Sequence, residues 1–514
     1  MSYPAIAFPL LLDNGIIPAS RMWADLFHFS QRASCGKRCP VLQCEVQRER
    51  KCFSVVMDMT TGRPLSRMLR FFVPVLLGNL LQQFYSMADS AIVSRTLGLQ
   101  AFAGVSATGA LNFLIIGLAL GTCSGFAIPV AQEFGAGRHS QMRVYFANSL
   151  YASGVIALLM AVSTALLAPG ILMLVGTPQD IFPYSLSYIR IIFLGIPATM
   201  LYNLLSGVMR AVGDGRTPLL MLLCSTLLNV ALDLLFIVSF GMGIQGAAIA
   251  TILAQLISGL LCVWVIHRRF DILRITGEEW KLSFPVIARL LGIGLPMGLQ
   301  FSITAIGSTI LQSAVNSLGS DAVAAIGAGA KVQFVFTSPN EAVGVTMATY
   351  CGQNLGAGKI DRIRTGMRQI CLIMLGYTAA AYAVQRFAGQ YIALLFIERA
   401  QTQVFAWAMQ YLNVVTATAY LLTLVLAFRN AIQGLGFSRV ALFAGLMELI
   451  GRAFVAFVLV RSIGFDGACF ANPMAWLCAD LFLVPAYFII IRRQEKIHQP
   501  ASGLPDGTSL PGSE

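Results

Sequence analysis

Two nearly identical heptads, "QEFGAGR" at residues 132–138 and "QNLGAGK" at residues 353–359, decide how this chain is organised. They lie 221 positions apart, and the same offset places the dipeptide Leu97-Gly98 on Leu318-Gly319. A glycine just after a helix can adopt the left-handed conformation that closes the last turn, so each heptad predicts a helix end. The repeat therefore predicts two similar halves, and it indicates architecture more than chemistry.

The composition is that of a membrane protein. The chain has 514 residues, of which 57% are hydrophobic and 11% are charged, against roughly 25% charged in an average globular protein. Apolar runs such as residues 71–93 and 144–168 exceed the roughly 20 residues that a helix needs to cross a bilayer. The sequence therefore predicts an all-α polytopic membrane protein in contact with lipid. The net charge of +12 is spread over short loops, which argues against nucleic-acid binding.

Loops at the two ends of the predicted spans differ sharply in charge. Arg and Lys concentrate at one end, where the prediction also counts Arg210 and Arg429. By the positive-inside rule, that end and both termini lie in the cytoplasm, here with the chain in a bacterial inner membrane. The opposite end carries only Arg95, Arg386, Arg399 and Arg461. The twelve predicted spans are 71–94, 102–131, 144–168, 183–208, 217–240, 244–266, 286–315, 322–350, 367–388, 402–428, 437–460 and 467–490.

The longest basic loop divides the spans into two sets of six. Six helices return the chain to its starting side, so the halves share one orientation, with a cleft between them. We predict that the N-terminal extension is disordered or not native, with translation starting at Met57, and that the C-terminal tail is disordered. The predicted segments are the extension 1–58, a first lobe 59–266, a cytoplasmic loop 267–285, a second lobe 286–491 and a tail 492–514.

Metal and cofactor chemistry find little support in the sequence. Four cysteines of the extension, Cys35, Cys39, Cys44 and Cys52, form no two separate ligand pairs and have no His among them, which argues against a zinc site. No His lies within a span, and no G-x₄-G-K-[ST] nucleotide-binding loop occurs, so an ATP-driven pump and a membrane enzyme are not expected. We predict a protein without a cofactor.

Acidic residues are scarce within the spans, where ionisable groups are costly and usually face a cavity or a partner. Glu448 has Arg452 four residues later on the same helix face, so a structural ion pair is the favoured interpretation there. Asp480 admits both a structural and a functional interpretation. Lys331 and Glu341 share the eighth span, and with Glu448 and Arg452 they are candidates to line a substrate cleft.

Asp89 is the strongest functional candidate, because no basic residue lies within one turn of it. In "LLNVALDLLF" (227–236), Asn229 and Asp233 are four residues apart and share one helix face. If these helices touch, two carboxyl groups and an amide converge away from water. Such a group can bind and release a proton, and the same oxygens also suit Na⁺. The residues alone leave the two ions open.

Pro74 in the first span predicts a kink, because proline removes a backbone hydrogen bond inside a helix. Gly78 follows one turn later. We interpret the pair as a hinge that could bend when Asp89 is protonated. A fixed kink without motion is the alternative.

Residues 60–491 resemble the multidrug and toxic compound extrusion (MATE) family of bacterial type. The resemblance rests on "TTGRPLSRMLRFFVPVLLGNLLQQFYSMADSAIVSRTLG", "RAVGDGRTP", "LNVALDLLF" and "GQNLGAGK". It implies two six-helix lobes around a V-shaped cleft and the efflux of organic cations driven by H⁺ or Na⁺.

The resemblance also assigns residues. Asp89 matches the family's coupling aspartate, with Asn229, Asp233, Tyr188 and Thr251 as its hydrogen-bonded partners. Gln82 matches a cleft position that can meet substrate. The seventh and tenth spans lack the extra carboxylates of some members, which puts a second-lobe Na⁺ site in doubt.

We therefore predict a monomeric antiporter that exports drugs or dyes, mostly cationic. Aromatic and Met side chains would line an adaptable cleft. A flippase of lipid-linked saccharides is the alternative, and it should carry several arginines in its first-half cavity. Few basic residues fall within the spans, namely Lys331, Arg452 and Arg190, which favours the antiporter.

Overall fold

The computed structural model describes residues 56–393 and 402–498, and these residues form helices and turns with no strand. The predictions for the cysteines and the start site of the extension lie outside the described residues. The first half consists of α1 (Pro64–Ala107), α2 (Gly109–Gly135), α3 (His139–Leu174), α4 (Phe182–Leu194), α5 (Ile196–Ala211), α6 (Arg216–Asp233), a π-helix (Leu234–Ser239) and α7 (Gly243–Arg269).

The second half follows two short 3₁₀-helices, Asp271–Leu273 and Gly277–Trp280. It consists of α8 (Phe284–Asn316), α9 (Ser320–Gly356), α10 (Ile360–Ala393), α11 (Thr402–Ala417), α12 (Ala419–Gly434), α13 (Ser438–Phe454), a π-helix (Val455–Leu459), α14 (Val460–Ile463), α15 (Phe465–Cys469) and α16 (Ala471–His498).

Most of the predicted spans are apolar helices of membrane-crossing length. Within the described ranges, nine helices are long and apolar enough to cross a membrane, and two bent pairs, α4 with α5 and α11 with α12, raise the number to eleven. The eighth predicted span is α9, whose 37 residues are long enough but carry more polar side chains. The twelve-span, all-α architecture predicted from the sequence is confirmed.

The two halves repeat each other in backbone detail. Gly98 and Gly319 both combine a positive φ, 82° and 99°, with an extended ψ. The π-helices begin at Leu234 and Val455, again 221 positions apart. Both bent pairs turn by 48°. The duplication that the heptads predict therefore extends to the positive-φ glycines, the π-helices and the bends. Local helix propensity alone does not predict these irregular features.

The opening turns of α1 and α8 exchange partners between the halves. Met68, Phe71 and Val75 of α1 are buried in the hydrophobic core of the second half. Val286 and Leu290 of α8 are buried in the core of the first half. Burial of each side chain stabilises the fold by about 1.5–3 kcal/mol, so each half anchors the first helix of the other.

The described residues extend past the predicted lobe boundaries at both ends. Residues 56–62 precede α1 and pack against both halves, since Met57 N–H donates to Val212 O at 3.1 Å and Met59 is fully buried. At the other end, α16 continues as a helix to His498, beyond the predicted end of the second lobe at 491.

The two heptads meet each other where the halves touch. A Cβ on Gly135 would lie 1.9 Å from the Gln353 carbonyl oxygen, and one on Gly356 would lie 1.8 Å from the Gln132 carbonyl oxygen. No side chain fits at either position. The heptads end α2 and α9 as predicted, and in addition they form the crossing between the halves. We call this end of the helices, where the basic loops lie, the basic end.

Glutamine side chains tie the crossing together. Gln132 Nε2 donates to Gly434 O at 2.9 Å, and its symmetry counterpart Gln353 donates to Ala211 O at 2.8 Å. Met59 N–H in turn donates to Gln353 Oε1 at 2.9 Å. The halves are therefore hydrogen-bonded to each other at the basic end.

Candidate functional site

Two carboxyl groups meet inside the first half. Asp89 lies on α1 and Asp233 is the last residue of α6, directly before the π-helix. Their carboxyl groups are within hydrogen-bonding reach of each other. Two carboxyls can share such a bond only when one of them carries a proton, because ionised carboxylates only accept. Helices α1 and α6, whose contact the sequence alone does not establish, therefore meet at these two side chains.

Asn229 and Thr251 complete this cluster. In the amide orientation that satisfies both of its polar atoms, Asn229 donates to Asp233 Oδ2 at 3.0 Å and accepts from the Thr251 N–H at 3.3 Å. Asn229 and Asp233 share a face of α6, as their four-residue spacing predicts, and both are fully buried. The amide thus presents hydrogen, and not oxygen, to the carboxylate.

A cavity of about 230 Å³ gives access to the cluster. Asp89 and Tyr188 line it together with Gln82 and Thr251, so four residues assigned through the family resemblance share one cavity. One carboxyl oxygen of Asp89 and one of Asp233 are buried without a hydrogen-bond partner. These atoms can accept a proton or a small cation. Among the described residues, no group of three or more His, Cys, Asp or Glu forms a metal site.

Sequence reasoning missed several polar residues of this cavity. The Tyr85 hydroxyl donates to Thr251 Oγ1 at 3.5 Å, and Tyr85 lies one turn before Asp89, so helical spacing could have found it. Asn112 also lines the cavity, and its side-chain oxygen has no partner. Thr199 donates to Gln255 across two helices, and no local pattern signals that contact.

The proposed hinge residues lie in unbroken helix. The departure from helical dihedral angles inside α1 occurs at Gly98, well beyond Pro74 and Gly78. The nearest atom to a Cβ on Gly78 would be 4.0 Å away, on Leu219, so the backbone there is not tightly held. Bending at this point stays a prediction.

A larger cavity, of about 420 Å³, lies between the halves beside the heptad crossing. Glu341 lines it and is exposed, and its place in a substrate cleft stays a prediction. Lys331 is exposed but lines neither cavity. The residues that line the larger cavity include Phe113, Arg210, Gln300, Phe301, Thr304, Glu341, Arg429, Asn430 and Gln433.

Glu448 and Arg452 do not line this cavity, which corrects their assignment to a substrate cleft. Glu448 is buried between two guanidinium groups, with Arg429 Nη1 at 2.6 Å and Arg452 Nη1 at 3.6 Å. The predicted pair with Arg452 is present, but Arg429 makes the closer contact. The carboxylate pairs with two cations, so the three side chains form a structural ion cluster, of which only Arg429 lines the cavity.

Arg210 and Arg429 also correct the count of basic loop residues. Both were assigned to basic loops, whereas α5 and α12 continue past them and both side chains face the larger cavity. Asp480 is buried on α16, with neither carboxyl oxygen hydrogen-bonded. The structure therefore places more charge inside the bundle than the sequence predicted.

Two repeated halves of membrane-spanning helices, with an acidic cluster in one half and a cavity between the halves, define a multi-pass membrane transporter. The MatE family model matches residues 74–235 and 296–458, one match in each half. The chain belongs to this family of multidrug efflux transporters, as its motifs indicated. Members are transporters and not enzymes.

Two relatives illustrate the range of the similarity. The chain is 30% identical over 307 residues to "Probable multidrug resistance protein YoeA" of Bacillus subtilis, covering 58% of this chain and 66% of the relative, slightly less than two thirds. It is 26% identical over 382 residues to the "FAD transporter" of Shewanella oneidensis, covering 72% of this chain and 82% of the relative.

Solved structures share the fold. One titled "Outward-facing conformation of a multidrug resistance MATE family transporter of the MOP superfamily" matches with a TM-score of 0.79 at 20% identity, covering 84% of this chain and 97% of that chain. At this identity the likeness concerns the fold alone.

Proposed function

We propose that this chain is a secondary antiporter that exports small organic molecules in exchange for protons, with Asp89 and Asp233 as the proton-carrying pair. The observation that carries the proposal is the contact between these two carboxyl groups beside a cavity of the first half that Asp89 lines. One proton joins them, and its loss leaves two carboxylates that repel each other at short range. Proton release therefore changes the force between α1 and α6.

The orientation of Asn229 favours H⁺ over Na⁺. A sodium ion at this site would need several oxygen ligands, and Asn229 offers it none while it points its N–H at Asp233. A proton needs no ligand shell. Na⁺ coupling remains the second candidate, because rotation of the amide would offer one further oxygen.

Names of relatives bear on the substrate. YoeA is named a probable multidrug resistance protein, which supports small organic compounds as substrates of this chain. A relative named for FAD keeps large anionic compounds within the candidate range as well as cations. The multidrug relatives do not favour the flippase alternative.

We further propose that the protein acts as a monomer with its basic end in the cytoplasm of a bacterial cell. The monomer is what the family resemblance implies. The positive charge of that end supports the orientation. Contacts between the heptads then close the cavity between the halves toward the cytoplasm, as expected of a state that releases substrate outside.

The test is transport by the purified protein in proteoliposomes under a pH gradient or a Na⁺ gradient imposed separately. We expect a pH gradient to drive dye export and Asp89→Asn to abolish it, whereas Asp361→Asn, which removes an exposed carboxylate at the basic end, keeps the wild-type rate. Gradient-driven export by Asp89→Asn at the wild-type rate would disprove the assignment. Export driven only by a Na⁺ gradient would show that the coupling ion is Na⁺ and not H⁺.

A further inference from the structure

Arg210 is a cation without a counterion in the cavity between the halves. It lies in the last turn of α5 and lines the cavity, and among the described residues its side chain has no ion pair or hydrogen bond. The groups that interact with it electrostatically are Tyr202 and Cys262, and neither is an anion at neutral pH. A guanidinium withdrawn from bulk water is costly unless an anion pairs with it.

The second arginine of the cavity differs in this respect. Arg429 is bound to Glu448 at 2.6 Å, so it already has a carboxylate partner, which it shares with Arg452. Glu341 faces the same cavity but lies more than 4 Å from the nitrogen atoms of both arginines, since it forms no ion pair. The positive charge of Arg210 therefore remains available to a bound molecule.

The remaining wall fits an aromatic compound with polar substituents. Phe113 and Phe301 provide aromatic surface, and the amides of Gln300 and Asn430 provide donors and acceptors. The volume of about 420 Å³ falls within the roughly 300–1,000 Å³ of small-molecule sites. A guanidinium can bind a carboxylate or phosphate through two parallel hydrogen bonds, which fixes orientation as well as charge.

Comparison of the two halves indicates that the scaffold does not need this arginine. In the second half, "QGLG" (433–436) occupies the place of "RAVG" (210–213), so Gln433 is the counterpart of Arg210. Both lie one turn before a glycine with positive φ, Gly213 at 86° and Gly436 at 90°. Glutamine is therefore compatible with this helix end. The positive charge of Arg210 is not needed to form the helix end and occurs only in the first half.

We propose that Arg210 forms an anion-binding subsite of the central cavity, which takes the carboxylate, sulfonate or phosphate of an aromatic substrate. This inference rests on the proposed transport function, because that function makes the cavity between the halves the substrate-binding site. The subsite makes the acid form of a substrate bind better than its ester, which lacks the anionic group. Glu341, on the α9 wall, remains available to a positive group of the same molecule.

The experiment measures equilibrium binding of a matched dye pair to the full-length chain in liposomes of zwitterionic lipid, without a gradient. Rhodamine 110 carries a free carboxylate, and rhodamine 123 is its methyl ester. We expect the wild type to bind the acid more tightly, and Arg210→Gln to weaken acid binding by about tenfold to a hundredfold while changing ester binding less than about twofold. Arg210→Lys should restore part of the preference.

The control is Arg216→Gln, which removes an exposed arginine six residues away, outside the cavity, and should change neither affinity. Equal loss of acid and ester binding in Arg210→Gln, or an ester that binds the wild type as tightly as the acid, overturns the subsite. Competition by phosphatidylglycerol against the acid alone would assign the subsite to a lipid headgroup instead. Because no gradient is used, failure of proton coupling leaves this measurement unaffected.

Discussion

Substitution of Gly135 by alanine tests whether the heptads hold the halves together. The new Cβ would lie 1.9 Å from the Gln353 carbonyl oxygen, and ordinary contact begins at about 3.4 Å. The obstacle is backbone, so α2 and α9 must separate by about 1.5 Å at their ends. A shift of this size would lengthen the bonds of Gln132 to Gly434 and of Gln353 to Ala211, now 2.9 and 2.8 Å, beyond hydrogen-bonding range.

The energetic cost follows from these contacts. Each neutral hydrogen bond contributes about 0.5–1.5 kcal/mol, and overpacking adds about 1–3 kcal/mol. We expect Gly135→Ala to destabilise the closed basic end by about 2–6 kcal/mol relative to a state in which the halves separate there. At about 1.4 kcal/mol per factor of ten, the closed state loses at least tenfold in population relative to the open one.

Distance measurement between spin labels provides the assay. Labels at the exposed positions Gln141 and Asp361 report the separation of the halves at the basic end. Gly154→Ala serves as the control, because that helical glycine has no atom within 4 Å of an added Cβ. We expect longer distances for Gly135→Ala and an unchanged distribution for Gly154→Ala. Identical distributions in both variants would refute the role of the crossing.

Two further predictions concern buried charges. Hydrogen bonds from Arg143 lower the pKa of Glu279 to about 2, so its contribution to stability is present above about pH 4.5 and is lost as the pH falls toward 2. We expect Glu279→Gln to lower the melting temperature and flatten this acid limb, whereas Glu278→Gln, at an exposed neighbour, changes the stability by less than about 0.5 kcal/mol in the same thermal-unfolding series. Glu448→Gln leaves two buried arginines without their carboxylate and should cost about 3–5 kcal/mol. Asp480→Asn should cost little, because neither oxygen of Asp480 has a partner to lose, and equal melting temperatures for these two variants would contradict this account.

Features that depend on residues close together in the sequence were predicted well. Apolar run length and loop charge give the spans, and the four-residue spacing gives the shared face of Asn229 and Asp233. Features that depend on where helices meet were not. Gly135 looks like an ordinary helix-end glycine until the second heptad is placed against it.

Arg210 and Arg429 show a different limit. A basic residue near the end of an apolar run resembles an interfacial anchor, and charge counting treats it as one. Whether such a side chain turns to the interface or into the cavity depends on the bend between the paired helices, here 48° in each half. The sequence carries no local signal for that direction, so the charge of the central cavity could not be predicted.

The path of α1 through both halves gives the acidic cluster a means to act on the cavity. Its opening turns, with Phe71 and Val75, are buried in the second half, whereas Asp89 contacts Asp233 of the first half. Pro74 and Gly78 begin the stretch that joins these two anchors, where the missing proline N–H weakens the helix. A change of force at Asp89 therefore reaches the second half through one continuous helix. Neither half can move relative to the other without bending α1, breaking the carboxyl pair or withdrawing the opening turns from their core.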